Sequence, residues 1–158
     1  MIRTSLTGSA WTLTGGGHAC PAIVPGSVHD ALIAAGGIPH PDTPGGEAAQ
    51  TFVGRCDWSW RRVFEVPESL CEQERVELVF DSLDAVGKVR LNDVRVGAVD
   101  SQYVPVRLDV SSVIRPGRNL LEVMLKGPLE EAERRETKHG KRPVNADGAW
   151  GPFSQIRK

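Results

Sequence analysis

A chain of 158 residues, 40% of them apolar, is one domain's worth of sequence with enough hydrophobic content to build a core. Its 19 basic and 20 acidic residues nearly cancel, and no basic stripe interleaved with aromatics occurs, so nucleic acid is not an expected partner. No apolar run approaches the ~20 residues a membrane-crossing helix needs, and Met1 to Ser5 lacks the basic-then-apolar order of a signal peptide, so no membrane partner is expected.

Ser9 to Thr14 alternates with Trp11 and Leu13 on one face, which predicts a short strand closed by Gly15-Gly16-Gly17. Cys20 to Gly26 contains Pro21 and Pro25 and reads as an extended connector rather than a central strand. From Ser27 the spacing of Val28, Leu32 and Ala35 predicts a helix of about two to three turns, with Ser27 as N-cap and Gly36-Gly37 as the stop. Ile38 to Ala49, with three prolines and two glycines, is expected to wrap the domain as a loop. Asp57 to Val66 returns to strand: Trp58, Trp60, Arg62 and Phe64 share one face, and Arg61, Val63 and Glu65 take the other.

The stretch from Arg75 to Gly97 organises the rest. Val76, Leu78 and Phe80 alternate first, and a turn rich in side-chain acceptors follows at Asp81 to Asp84. Val89 and Leu91 then share one face, Lys88 and Arg90 the other, and Asn92-Asp93 predicts a tight hairpin into Val94 to Gly97. Gln102 to Val110, extended around Pro105, suits a sheet edge, and Pro116-Gly117 marks a turn. Asn119 to Lys126 is a strand with Leu121, Val123 and Leu125 on one face. Pro128 to Lys138 reads as a solvent-exposed, charge-rich helix, and His139 to Lys158 as a long loop. Short strands at spacings of about 8–12 residues, with one or two short helices, predict an all-β fold, a jelly-roll β-sandwich spanning 1–158 as a single domain.

Groups that carry chemistry are sparse. Cys20, Cys56 and Cys71 are odd in number and scattered, which suits free thiols in a reducing compartment and leads to an expected cytoplasmic location. His18 and the cysteines offer zinc-compatible atoms, but no Cys-x-x-Cys pair or His pair stands at ligand spacing, so no metal site is expected. No Gly-x-Ser-x-Gly elbow is present, His29 lies on a helix face, and Gly15 to Gly17 lacks the spacing of a phosphate loop; no cofactor is expected. Asp81 with Asp84, and Asp42 with Glu47, are carboxylates sharing a turn or loop, a proximity that turn formers reach without any catalytic purpose. Of the tryptophans, Trp11, Trp58 and Trp60 sit in strand alternation and belong to the core. Trp150, flanked by glycines, is the candidate substrate-binding residue, and no catalytic residue is expected.

Taken in order, Trp11, the block PAIVPGSVHDALIAAGGIPHPD (Pro21 to Asp42), FVGRCDWSWRRVFEVP (Phe52 to Pro67), ERVELVFDSLDAVGKVRLNDVRVG (Glu74 to Gly97) and RPGRNLLEV (Arg115 to Val123) resemble the N-terminal domain of family 2 glycoside hydrolases, β-mannosidase branch. Asp93 stands where that family usually has Gly. A Trp-Asp-Trp-Gly-Pro motif follows a segment like Ile156-Arg157-Lys158 in the family. Here Trp150-Gly151-Pro152 imitates its end but lies upstream, with Ala149 in the Asp position, and is read as a decoy. The resemblance implies a galactose-binding-like sandwich, a β-mannoside as the carbohydrate bound in the context of a full enzyme, and a downstream catalytic barrel as partner. A barrel needs about 250 residues, so the chain is expected to be a truncated piece without one, inactive by itself. The rivals are a stand-alone carbohydrate-binding module, which would need an exposed aromatic platform, and a structural fragment with no ligand.

Overall fold

The computed structural model describes residues 2–141. Alternation over the first tryptophan produces β1 (Gly8–Gly15), and Gly16 and Gly17, at φ of 53° and 82°, turn the chain straight back as β2 (His18–Val24). This corrects the reading of that segment as a connector. Pro21 pairs opposite Thr12, which is tolerated because β2 is the outermost strand of its sheet and needs ladder bonds on one side only.

Helix α1 (Val28–Ala34) starts where expected. Ser27 Oγ accepts from the Asp30 backbone N–H at 3.1 Å, while Asp30 Oδ2 accepts from the Ser27 N–H at 3.2 Å, so each satisfies an orphan donor of the other. Ala31 and Leu32 are the buried pair, and Gly36 at φ 70° ends the helix. The proline-rich loop that follows includes α2 (Gly46–Gln50) and a 3-10 turn (Thr51–Arg55), and it buries Ile38 and Val53.

The remaining elements are β3 (Trp58–Val66), α3 (Glu68–Cys71), β4 (Glu77–Phe80), β5 (Gly87–Leu91), β6 (Val94–Val99), β7 (Val106–Asp109), β8 (Gly117–Leu125) and α4 (Pro128–His139). Among the described residues they form a six-stranded sheet in the order β2-β1-β3-β8-β5-β6 and a two-stranded sheet β4-β7, all pairs antiparallel. This is the all-β sandwich of two antiparallel sheets that the strand spacing predicts. The chain leaves the small sheet after Phe80 and enters the large one at Gly87, so the two alternating halves of the organising stretch lie in different layers. Asn92 and Asp93, at φ 50° and 67°, turn β5 into β6 with the positive φ at both central residues that a right-twisted hairpin favours.

Register explains the core. Cys20, Leu13, Trp60, Val123, Val89 and Gly97 stand side by side across the six strands, one row of inward residues. Leu13 and Val89 are fully buried, and Trp60 and Val123 nearly so. Gly97 ends the row because β7 crosses there: a Cβ added at position 97 would lie 2.4 Å from Leu108 Cδ2. Leu78 and Leu108, paired across the small sheet, close the core from that side. Asn119, fully buried, pins the opposite end. Its Nδ2 donates to the carbonyls of Arg115 (2.7 Å) and Gly117 (2.9 Å), and its Oδ1 accepts from the Arg115 N–H (3.1 Å) and Asn92 Nδ2 (2.8 Å).

Helix α4 is not solvated all round, contrary to the expectation from its charge. Glu131 and Ala132 are buried, and Ala132 packs with Ala85 and Val86. A residue pattern dominated by Glu and Arg hides this face, because its most buried charged member is neutralised by neighbours on the same helix.

Candidate functional site

One register row, Gly15, Trp58, Leu125, Gly87 and Val99, marks an end of the large sheet. Beyond it lie the loop of residues 35–57, the turn before β5, the loop between β6 and β7, and α4. The long loop ahead of β3 and α4 therefore meet at one end of the sandwich, beside the shorter loops before β5 and after β6.

Helix α4 is fastened there by paired charges. Asp57 Oδ1 accepts from the Gly127 N–H at 3.0 Å, at the N-cap of α4, and its Oδ2 meets Lys126 Nζ. Arg55 makes two parallel bonds to Glu133, both 3.2 Å. The Glu131 carboxylate accepts from Arg134 (2.7 and 2.6 Å) and from Arg135 Nε (2.8 Å), and Arg135 reaches on to Asp100 Oδ1. Gly54 leaves room for Leu129, whose Cδ1 would lie 3.1 Å from a Cβ at position 54.

The electrostatics oppose acid–base catalysis by these groups. The Arg134 hydrogen bonds hold the Glu131 carboxyl at about 2, outweighing its burial, with Arg135 adding to the effect. At Glu122 partial burial pushes upward, but bonds from Arg61 and Ser59 and the charges of Arg61 and Arg90 together leave it lowered. Asp109 is lowered by the Ser111 hydroxyl and backbone N–H. A glycosidase's general acid needs the reverse, a carboxyl raised so that it holds a proton near neutrality.

Two shallow grooves open at this end. One of about 390 Å³ follows the last turns of α4, lined by Glu133, Glu136, Thr137, Gly140 and Lys141. The other, about 310 Å³, lies between the end of β6 and the following loop, lined by Ala98, Val99, Asp100, Ser101, Val104 and Val106.

The residues singled out in the sequence fall as follows. Trp11, Trp58 and Trp60 are core. Two of them tie their indole N–H to backbone, Trp11 to the Leu6 carbonyl (2.8 Å) and Trp58 to the Val53 carbonyl (2.9 Å), while Trp60 Nε1 has no partner among the described residues. Trp150 lies outside the described residues. His18 stacks on Phe52 with ring centroids 5.6 Å apart, Cys20 packs inward toward α1, and all three cysteines are free thiols. Among the described residues no group of three or more His, Cys, Asp or Glu side chains is placed to hold a metal ion. Asp42, Glu47, Asp81 and Asp84 are surface residues, with Asp42 3.4 Å from His40. The sequence reading passed over Tyr103, the chain's single tyrosine, which stands 62% exposed on the loop bordering the second groove. The available signal was its place in a short polar stretch ahead of Val104-Pro105, outside any strand alternation.

Comparison with known proteins gives a consistent result. The family model described as the glycosyl hydrolase 2 galactose-binding domain-like domain matches residues 11–158. A β-mannosidase of Mus musculus is 29% identical over 137 residues, covering 85% of this chain and 15% of that protein. The crystal structure of a β-D-mannosidase from Dictyoglomus thermophilum superposes with a TM-score of 0.88 at 27% identity, over 97% of this chain and 19% of that one. A β-glucuronidase from Ruminococcus gnavus shares the fold alone, with a TM-score of 0.61 at 22% identity over 82% of this chain and 22% of its own. The chain thus spans less than a fifth of the length of the β-mannosidases it matches.

Proposed function

The chain belongs to the glycosyl hydrolase 2 galactose-binding domain-like family, as an N-terminal domain of β-mannosidase-like proteins, and from that premise we propose that it acts as an accessory domain. In this reading it packs on a catalytic barrel and forms one wall of the pocket for a terminal β-mannosyl unit. The observation that carries the proposal is the superposition of nearly the whole chain on one-fifth of a β-D-mannosidase. The charge chemistry supports the division of labour. A retaining glycosidase needs two carboxyls about 5–5.5 Å apart, one holding its proton, whereas Glu131 and Glu122 are locked in ion pairs and lowered. The barrel supplies acid and nucleophile; this domain supplies shape. The α4 end suits the contact, since ion pairs from Arg55, Asp57 and Asp100 hold its helix in one orientation. Three free thiols favour a reducing compartment, the cytoplasm, for the protein.

A domain graft tests the proposal. The Dictyoglomus enzyme is prepared intact, without its matched domain, and with residues 1–158 of this chain in that place. The expected result is hydrolysis of an aryl β-mannoside lost on deletion and regained on grafting, with the isolated chain inactive. A graft that folds by circular dichroism yet regains nothing, or turnover by the rigorously purified isolated chain, overturns it.

A further inference from the structure

The outer face of the six-stranded sheet carries side chains that the accessory role does not use. Pro21, Thr12, Arg61, Glu122, Arg90 and Arg95 stand side by side across all six strands, one residue along from the inward row, so they point away from the core. The neighbouring outward row holds Ser59, Met124 and Lys88. The small sheet and α1 pack on the opposite face, at Gly97 and Cys20, and leave this one open. In these two rows the four cations Arg61, Arg90, Arg95 and Lys88 share one carboxylate, an excess of three positive charges on a chain whose formal net charge is -1. That carboxylate is already taken: Glu122, 12% exposed, accepts from Arg61 Nε at 2.6 Å and from the Ser59 hydroxyl at 2.9 Å. Arg90 donates from Nη2 to the Asp93 carbonyl at 2.6 Å, and its buried Nε has no acceptor among the described residues. Arg95 and Lys88 are exposed and join no ion pair among the described residues. The apolar content is also out of place. The solvated face of an antiparallel sheet is ordinarily polar, yet Ile23, Val63 and Met124 point outward here, 61%, 44% and 39% exposed.

Guanidinium groups take carboxylates through paired, charge-assisted bonds, and a patch of one sign draws a partner of the other. From Arg61 on β3 to Arg95 on β6 the cationic row crosses three strand spacings, about 14 Å, too long for one small anion and matched to a short stretch of chain. A nucleic acid would use the cations alone, and these two rows offer no aromatic ring for its bases to stack on. Arginine and methionine beside exposed aliphatic groups are the mixture that protein interfaces favour. We propose that this face docks an acidic protein segment, with Arg61, Arg90 and Arg95 taking its carboxylates and Val63 and Met124 its apolar side chains. The surface is distinct from the α4 end, and the proposal does not depend on the accessory-domain reading.

The test titrates the nitrogen-labelled 158-residue chain with a short peptide of alternating glutamate and valine. The same peptide with lysine in place of glutamate, a short DNA duplex, and vesicles of phosphatidylserine and phosphatidylcholine serve as the other ligands. The expected result is saturable movement of the β3, β8, β5 and β6 amide signals by the glutamate peptide, weakened by added salt. The double variant Lys88→Glu, Arg95→Glu should lower the affinity at least tenfold, and Val63→Ser at least twofold. Lys138→Glu makes the same kind of charge reversal on the exposed side of α4 and should keep the affinity within about twofold. The substituted side chains are exposed, so the variants keep the fold, as unchanged amide shifts around Leu13 and Val89 will report. No saturable shift with the glutamate peptide, an equal loss in Lys138→Glu and in the double variant, or tighter binding of the lysine peptide, the duplex or the vesicles overturns the proposal. The readout is binding by the chain alone, so failure here leaves the graft experiment untouched, and failure of the graft leaves this surface intact.

Discussion

Substituting Glu131 with Gln probes what holds α4 to the sandwich. Its carboxylate is 6% exposed and takes three hydrogen bonds from two guanidinium groups, which bring it from an ordinary value of 4.5 to about 2. At about 1.36 kcal/mol per pH decade this is on the order of 3 kcal/mol of stability at neutral pH. A depressed folded-state value means that the contribution is complete above the unfolded value near 4.5 and drains away as pH falls from there toward about 2. Gln keeps the shape and one acceptor but cannot ionise, and it leaves the half-buried Arg135 short of a counter-charge. Glu131→Gln should therefore unfold about 2–3 kcal/mol more easily at pH 7. By pH 3 the native protein should have lost roughly half or more of the difference. Urea unfolding at pH 7, 5, 4 and 3, followed by tryptophan fluorescence, reads the core directly because Trp11, Trp58 and Trp60 are all buried. A stability difference that stays constant from pH 7 to pH 3 would refute the ion-pair account, and so would no difference at pH 7.

Asn119→Ala removes two donors and one strong acceptor from a fully buried clamp, leaving the Arg115 and Gly117 carbonyls unsatisfied. A loss of about 3 kcal/mol, or roughly 6–12 °C in melting temperature, is expected by calorimetry. Gly97→Val drives a side chain into Leu108 and should cost about 1–3 kcal/mol in denaturant unfolding, with part of the loss recovered in the Gly97→Val, Leu108→Ala double variant. Thiol titration of denatured, unreduced protein should find three free groups. In the native state the buried Cys20 should react last, after the partly exposed Cys56 and Cys71.

Much of the architecture was legible in local chemistry. Period-two alternation placed Trp11 with Leu13, Trp58 with Trp60 and Leu121 with Val123 on buried faces, because a strand sends successive side chains to opposite sides wherever it lies. Ser27 announced the start of α1 because capping is completed within four residues. Asn92-Asp93 announced a hairpin because those residue types tolerate positive φ.

Sheet membership was not legible. Whether Pro21 sits in a connector or a strand depends on β2 being outermost, a property of the neighbours and not of Pro21. That β4 and β5, a few residues apart, belong to different layers follows from pairings with β7 and β8 far along the chain. The buried face of α4 exists because Ala132 meets Ala85 and Val86, and Arg134 and Arg135 neutralise Glu131 where composition suggested a solvated surface. At the candidate site the same division holds. Tyr103 stands out only once the three core tryptophans are seen to be buried. The sequence alone determined which faces are apolar and where the chain turns, since both arise within a few residues. Only the tertiary structure decided which charges are paired and that the Tyr103 ring is left in water, since both depend on contacts between segments distant in sequence.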